Sequence, residues 1–166
     1  MKVVSTAIIL ALLSAGLYSQ RPERLPRFEQ YKSKVYPGRI KYPKWMSFEN
    51  GSARDELGKL TDTARINFAG KYFISAHSCG TECRYYSLTD LSNGRDSHLL
   101  SVFDASDATP RQNIPILFSQ RNSNLLIVQY EPKFGSGLKC REQSYVFHHG
   151  KLKPVTRLVK SCRLLG

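Results

Sequence analysis

Beyond Asn67 the chain is a succession of short apolar and aromatic runs separated by polar turn residues. KYFISAH (71–77) and CRYYSLTDL (83–91) have the length and aromatic content of strands. Ser92-Asn93-Gly94 follows them with a turn in which Asn and Gly accept positive φ. HLLSVF (98–103) predicts a third strand. IPILFSQ (114–120) and NLLIVQYE (124–131) predict a hairpin around Gln120-Arg121-Asn122-Ser123, and SYVFHHGKLKPVTRLV (144–159) a last hairpin turning near His149-Gly150. Seven such strands predict a mainly β fold, a single antiparallel domain. Periodicity leaves a sandwich, an open barrel and a propeller-like meander open. One short helix is expected over SARDELGKL (52–60), where Ser52 can cap, Asp55 and Glu56 occupy the first turn and Lys59 the end.

The first twenty residues, MKVVSTAIILALLSAGLYSQ, follow another pattern: Lys2, then an uncharged, mostly apolar run from Val3 to Leu17. That run is short for a bilayer span, and the charged RPERLPRFEQ comes next, which is the arrangement of a cleaved secretory signal. Cleavage is expected after Gly16 or Ser19, and no cysteine follows LLSAG to take a lipid. We therefore expect a signal peptide over 1–19, an extended basic and aromatic arm over 20–47, and the β domain over 48–166. The processed protein should be periplasmic and should not span a membrane. In the arm, Pro22, Pro26, Pro37 and Pro43 exclude a continuous helix or a central strand. Phe28, Tyr31, Tyr36, Tyr42 and Trp45 interleave there with lysines and arginines. Such a segment can lie on an anionic partner or wrap its own domain. The second reading is favoured, with Trp45 and Phe48 supplying the core.

Charge widens the list of partners. The formal net charge is +12, from 25 Lys and Arg against 13 Asp and Glu. A basic balance suits an anionic envelope polymer, acidic headgroups or an acidic protein, or serves solubility alone. Nucleic acid is not expected as a partner of an exported protein. The cysteines are even in number, Cys79, Cys83, Cys140 and Cys162, and an oxidising compartment favours two disulfides among three possible connectivities. Proximity favours Cys79–Cys83 and Cys140–Cys162.

The candidate chemistry is weaker. His77, Cys79 and Cys83 with His148 or His149 have soft-ligand character, but a disulfide-forming compartment opposes thiolate ligation. A cysteine nucleophile paired with His149 and oriented by Asp90 or Asp104 would need a free thiol. GxSxG is absent, and FGSG (134–137) lacks the strand-to-helix frame of that elbow. His148 and His149 point to opposite faces if both lie on a strand, one packing and one facing water. No metal, no cofactor and no enzymatic activity are therefore expected.

NFAGKY (67–72), CGTEC (79–83), Asp90 with Asn93-Gly94, Ser123 to Val128, and Tyr145-Val146-Phe147 with Gly150-Lys151 occur in an order that resembles a family of small exported bacterial β proteins. The likeness covers about residues 66–155. A fainter likeness is to periplasmic immunity proteins that block cell-wall amidases delivered by type VI secretion. It implies a protein-binding inhibitor whose partner is a secreted, cell-wall-degrading toxin. An inhibitor of this kind needs a rigid scaffold and a projecting loop. The expected partner-binding residues are Lys133, Phe134, Gly135, Ser136, Gly137 and Lys139, with DASDATPRQN (104–113) as the other projecting loop. An envelope protein that holds an anionic polymer, and a small hydrolase using His77 or His149, are the competing expectations.

Overall fold

The computed structural model describes residues 25–80, 83–104, 113–132 and 139–165. The expected signal peptide, most of the loop at 104–113 and residues Lys133 to Gly137 lie outside them.

The pattern after Asn67 folds into antiparallel strands. Ser47–Glu49 (β1) pairs with Ser52–Arg54 (β2) as a small ribbon. Tyr72–Gly80 (β3), Cys83–Asp90 (β4) and Arg95–Ser97 (β5) form a three-stranded sheet in that order. Asn113–Ser119 (β6), Leu125–Pro132 (β7), Arg141–His148 (β8) and Lys151–Pro154 (β9) form a four-stranded meander. The chain is thus mainly β and antiparallel, and the two larger sheets are open, with no closed barrel among the described residues.

Two expectations fail for identifiable reasons. Residues 52–60 are no helix: β2 is followed by a tight turn, in which the Asp55 carboxylate accepts the amides of Leu57 and Lys59 at 2.9 Å each and Gly58 takes φ +74°. The acid that was to favour a helix start instead closes a loop on itself, as Asp does when its side chain competes for nearby amides. HLLSVF is a 3-10 helix, not a strand. Ser97 caps it by accepting the Leu99 amide, and the buried Leu100 and Phe103 are three residues apart, one 3-10 turn. A second 3-10 turn spans Phe28–Gln30.

Alternation assigns the faces of β3 and β4. Ile74, Tyr86 and Leu88 face the four-stranded sheet and pack with Leu126, Val128 and Phe147, closed off by Phe68, Leu100 and Phe103. Phe73, Ser75 and His77, opposite Thr89, Ser87 and Tyr85, line the other face. There Phe73 joins Ala64 and Leu91 in a second core, against which Ile40, Trp45, Met46 and Ile66 pack. Trp45 is half-buried, whereas Phe48 is 51% exposed on the short ribbon and adds nothing to either core.

The segment before β1 runs along the domain and is fixed by backbone hydrogen bonds. Ser33 donates to Asn122, Asn124 donates to Tyr31, Tyr36 donates to Gly70, and Lys41 donates to Leu91, all at 2.7–2.8 Å. The C-terminal segment is held by a buried ion pair. Arg163 Nε donates to Glu142 at 2.7 Å, Gln129 donates to the same carboxylate at 2.9 Å, and Arg163 also bonds the Pro26 carbonyl.

Candidate functional site

Three regions bring chemistry-bearing groups together, and the first is the junction built by NFAGKY. Asn67 spends its side chain on Ile74, accepting its amide at 2.7 Å and donating to its carbonyl at 2.8 Å. Phe68 is fully buried in the larger core. Ala69 (φ +44°) and Gly70 (φ +78°) then turn the chain in the left-handed region. A Cβ on Gly70 would stand 2.1 Å from the Lys34 carbonyl oxygen, so only glycine lets the N-terminal segment come this close. The motif is a docking point for that segment.

Docking there creates a trough. One part of it, a cleft of about 590 Å³, is lined by Tyr36, Ile40, Arg65, Ile66 and Arg121, among others. A second cleft of about 420 Å³ shares Val35 and Tyr36 with the first and is lined also by Lys34, Pro37 and Lys71. Lys71 is tied to Asp90 at 2.6 Å, which raises the lysine pKa. Burial opposes ionisation of Asp90, but hydrogen bonds from Lys71 and Ser92 prevail and hold its pKa below the ordinary carboxylate value.

The second region is a buried polar relay. His77 Nδ1 lies 3.3 Å from Asp55 Oδ2 and His77 Nε2 lies 2.9 Å from Ser87 Oγ. Tyr85 stacks on the ring at 4.6 Å between centroids and Trp45 meets it edge-on at 4.7 Å. His77 is only 4% exposed and Asp55 3%, whereas Ser87 retains partial access to solvent. Burial alone would raise the Asp55 pKa, but the amides of Lys59 and Leu57 and the His77 ring lower it below the ordinary value. Burial, with Glu56 and Asp55 nearby, pushes the Tyr85 phenol up to about 12. Order and distances are those of a hydroxyl, a base and an orienting acid. Sequence reasoning singled out His77 but not its partners, which stand 22 and 10 residues away with no motif between them. Alternation was the one available signal, since it puts Ser75, His77, Tyr85 and Ser87 on one face.

The third region is the disulfide-bonded end. Cys79 pairs with Cys83 and Cys140 with Cys162. The first closes the β3–β4 hairpin, and the second fixes the C-terminal segment beside the start of β8. Asn113 is registered with Pro132, so the loops at 104–113 and 133–138 leave adjacent strand ends. The Tyr86 hydroxyl donates to the Pro115 carbonyl at 2.7 Å and ties the first half of β4 to the first residues of β6. Of the expected partner-binding residues only Lys139 is described; it is exposed, next to Cys140. Lys133, Phe134, Gly135, Ser136 and Gly137 lie outside the described residues.

The remaining candidates are dispersed. His148 and His149 are both exposed, with rings 3.9 Å apart and edge to face, because His149 leaves the strand with φ +47° at the turn. The opposite-face expectation is thereby corrected, and neither ring packs into the core. Asp104 accepts the Tyr86 amide at 3.1 Å, and Asp90 is engaged by Lys71. Among the described residues no three His, Cys, Asp or Glu side chains gather as metal ligands would. Compared with family models, curated proteins and solved structures, the chain matches none.

Proposed function

We propose that the chain is an exported binding protein, an inhibitor that occludes a secreted peptidoglycan-degrading toxin. The observation that supports this reading is the register of Asn113 with Pro132 beside Cys140–Cys162. The connections before Asn113 and after Pro132 therefore start from neighbouring positions, with the disulfide beside the start of β8. Fixing the ends of two neighbouring segments lowers the ordering cost of binding an enzyme cleft. Phe134 serves as the apolar anchor, and Gly135 and Gly137 permit close backbone approach. The test is co-purification of the tagged protein from its native periplasm, followed by affinity measurement against whatever hydrolase is captured. Ser136→Trp should weaken that complex by about 2 kcal/mol or more while leaving thermal unfolding unchanged. Capture of no hydrolase, or equal affinity for Ser136→Trp and for a variant with 104–113 replaced by a Gly/Ser linker, would sink the reading.

The Asp55–His77–Ser87 relay supports a second reading, a small hydrolase. Ser87 Oγ would attack an acyl carbon while its proton passes to His77 Nε2 and on to the departing group as its bond breaks; water deprotonated by the same nitrogen would then release the acid and return the proton to Ser87 Oγ. A fluorophosphonate probe separates the readings. Covalent labelling that disappears in Ser87→Ala favours the hydrolase, and an unlabelled folded protein removes it.

A further inference from the structure

The N-terminal segment sorts most of its side chains by exposure, Tyr42, 50% exposed, being the exception among its aromatics. Arg27, Lys32, Lys34, Arg39, Lys41 and Lys44 are all exposed, whereas Phe28, Tyr31, Val35, Tyr36 and Ile40 are half-buried against the domain. Glu29 is the only acid between Leu25 and Trp45. The segment therefore carries its cations on the outside, and most of its apolar groups serve as attachment. Packing of the aromatics explains why the segment adheres. It does not explain why every outward charge but one is positive.

The trough around Tyr36 gives these cations a floor. Lys34 contributes to one cleft, Arg65 and Arg121 to the other, and Tyr36 lines both. Among the described residues neither Lys34 nor Arg121 has an ion-pair partner; Arg65 has one, Asp62, at 3.6 Å, both side chains being 68% exposed. Gly38 contributes as well, since a Cβ there would lie 2.3 Å from the Tyr36 hydroxyl. Only a residue without a side chain lets the ring lie back over the segment. Ile40 and Ile66 supply an apolar surface beside these cations.

We propose that this trough is a binding site for an acidic polysaccharide, occupied by a linear chain bearing carboxylate or phosphate groups. Unpaired cations in both clefts meet the regularly spaced anions of such a chain. The Tyr36 ring and the isoleucines meet the apolar C–H faces of its sugars. Charge carried along one segment fits a linear polyanion better than a planar membrane. The exposed aromatic pair Tyr42 and Phe48 is the only large apolar surface beside these cations among the described residues of 25–49, and no large aliphatic side chain there is exposed. The site is separate from the disulfide-bonded end, so an inhibitor could be held on the envelope by the trough while its loops engage a toxin. The glycan site does not depend on the inhibitor reading, and its test needs no toxin.

The experiment uses the processed full chain, with polygalacturonate as the carboxylated probe, a phosphate-bearing teichoic acid as the second, and neutral dextran and phosphatidylglycerol vesicles as comparisons. Binding is followed by light scattering and calorimetry at 50 and 300 mM NaCl. The expected result is binding to one or both acidic glycans, none to dextran, and at least a tenfold loss of affinity at the higher salt. Lys34→Glu/Arg121→Glu should weaken binding tenfold or more. Lys153→Glu/Lys160→Glu, the same charge change on β9 and the C-terminal segment, should weaken it less than threefold. Tyr36→Ala should reduce glycan affinity at 300 mM NaCl, where stacking outlasts charge. Equal losses in the two double variants would reduce the effect to net charge and overturn the site. Tighter binding to the vesicles than to either glycan would overturn the ligand class, and binding to no probe would overturn both. Thermal unfolding of each variant confirms that losses belong to binding.

Discussion

His77 is enclosed by Trp45, Tyr85, Asp55 and Ser87, and most of the polar chemistry of the smaller core depends on it. Replacing it with Ala removes a stacked ring and leaves a buried carboxylate short of a partner. The expected cost is about 2–4 kcal/mol, read by urea unfolding at neutral pH. Trp45→Ala should cost about 2 kcal/mol, below the figure for a fully buried indole because the ring is half-exposed. The acid limb follows from the carboxylates. Asp55 and Asp90 have folded pKa values below their unfolded ones. Their contribution is complete above about pH 4 and is lost as the pH falls through the folded values. Asp90→Asn should flatten the dependence of stability on pH between about 2 and 4, and an unchanged slope would remove Asp90 from the account. Asp55 also shows where reading residues singly fails. An acid three places beyond a potential cap suits a helix start, but the same carboxylate can take two local amides and a distant imidazole, and that combination wins.

Elements were legible where the alternating pattern has one physical cause. The β6–β7 and β8–β9 hairpins are present because the LLIV run is buried on both faces and Gly150 takes the left-handed turn at the next corner. HLLSVF was misread because six residues carry too few apolar positions to separate a spacing of two from one of three. The partnership of NFAG with Lys34 was invisible, since a glycine tells nothing of which distant backbone it admits. Gly70→Ala should therefore detach the N-terminal segment. We expect a loss of about 1–3 kcal/mol and faster hydrogen exchange at the amides of Ser33 and Tyr36, with the larger core unaffected. The two disulfides should differ in worth. Cys140–Cys162 spans 22 residues and Cys79–Cys83 spans 4. By the loop-closure argument their loss costs about 3 and about 2 kcal/mol respectively, measured on Cys-to-Ser pairs. Reversal of that order would mean that the β3–β4 hairpin depends on its bridge for more than chain entropy.

At the scale of the whole molecule, two open sheets share one core, a second smaller core sits behind β3 and β4, and the described segments before β1 and after β9 are bonded along them. All four cysteines are paired, so thiol titration of the unfolded, unreduced protein should find none reactive. Fold class was readable from strand count and turns. The relay and the trough were not, because each is assembled from segments that no local pattern connects. Those long separations also set an order of events. Residues 25–45 are fastened by partners far along the chain: Ser123 reaches Phe28 across 95 positions, and Arg163 reaches Pro26 across 137. Closing such spans comes late in folding, after the locally connected hairpins. A ribosome, however, delivers the N-terminal part first. For most of its synthesis the newborn chain trails a loose peptide of tyrosines and cations with nowhere yet to settle, and any polyanion or chaperone it meets in that interval competes with its own unfinished fold.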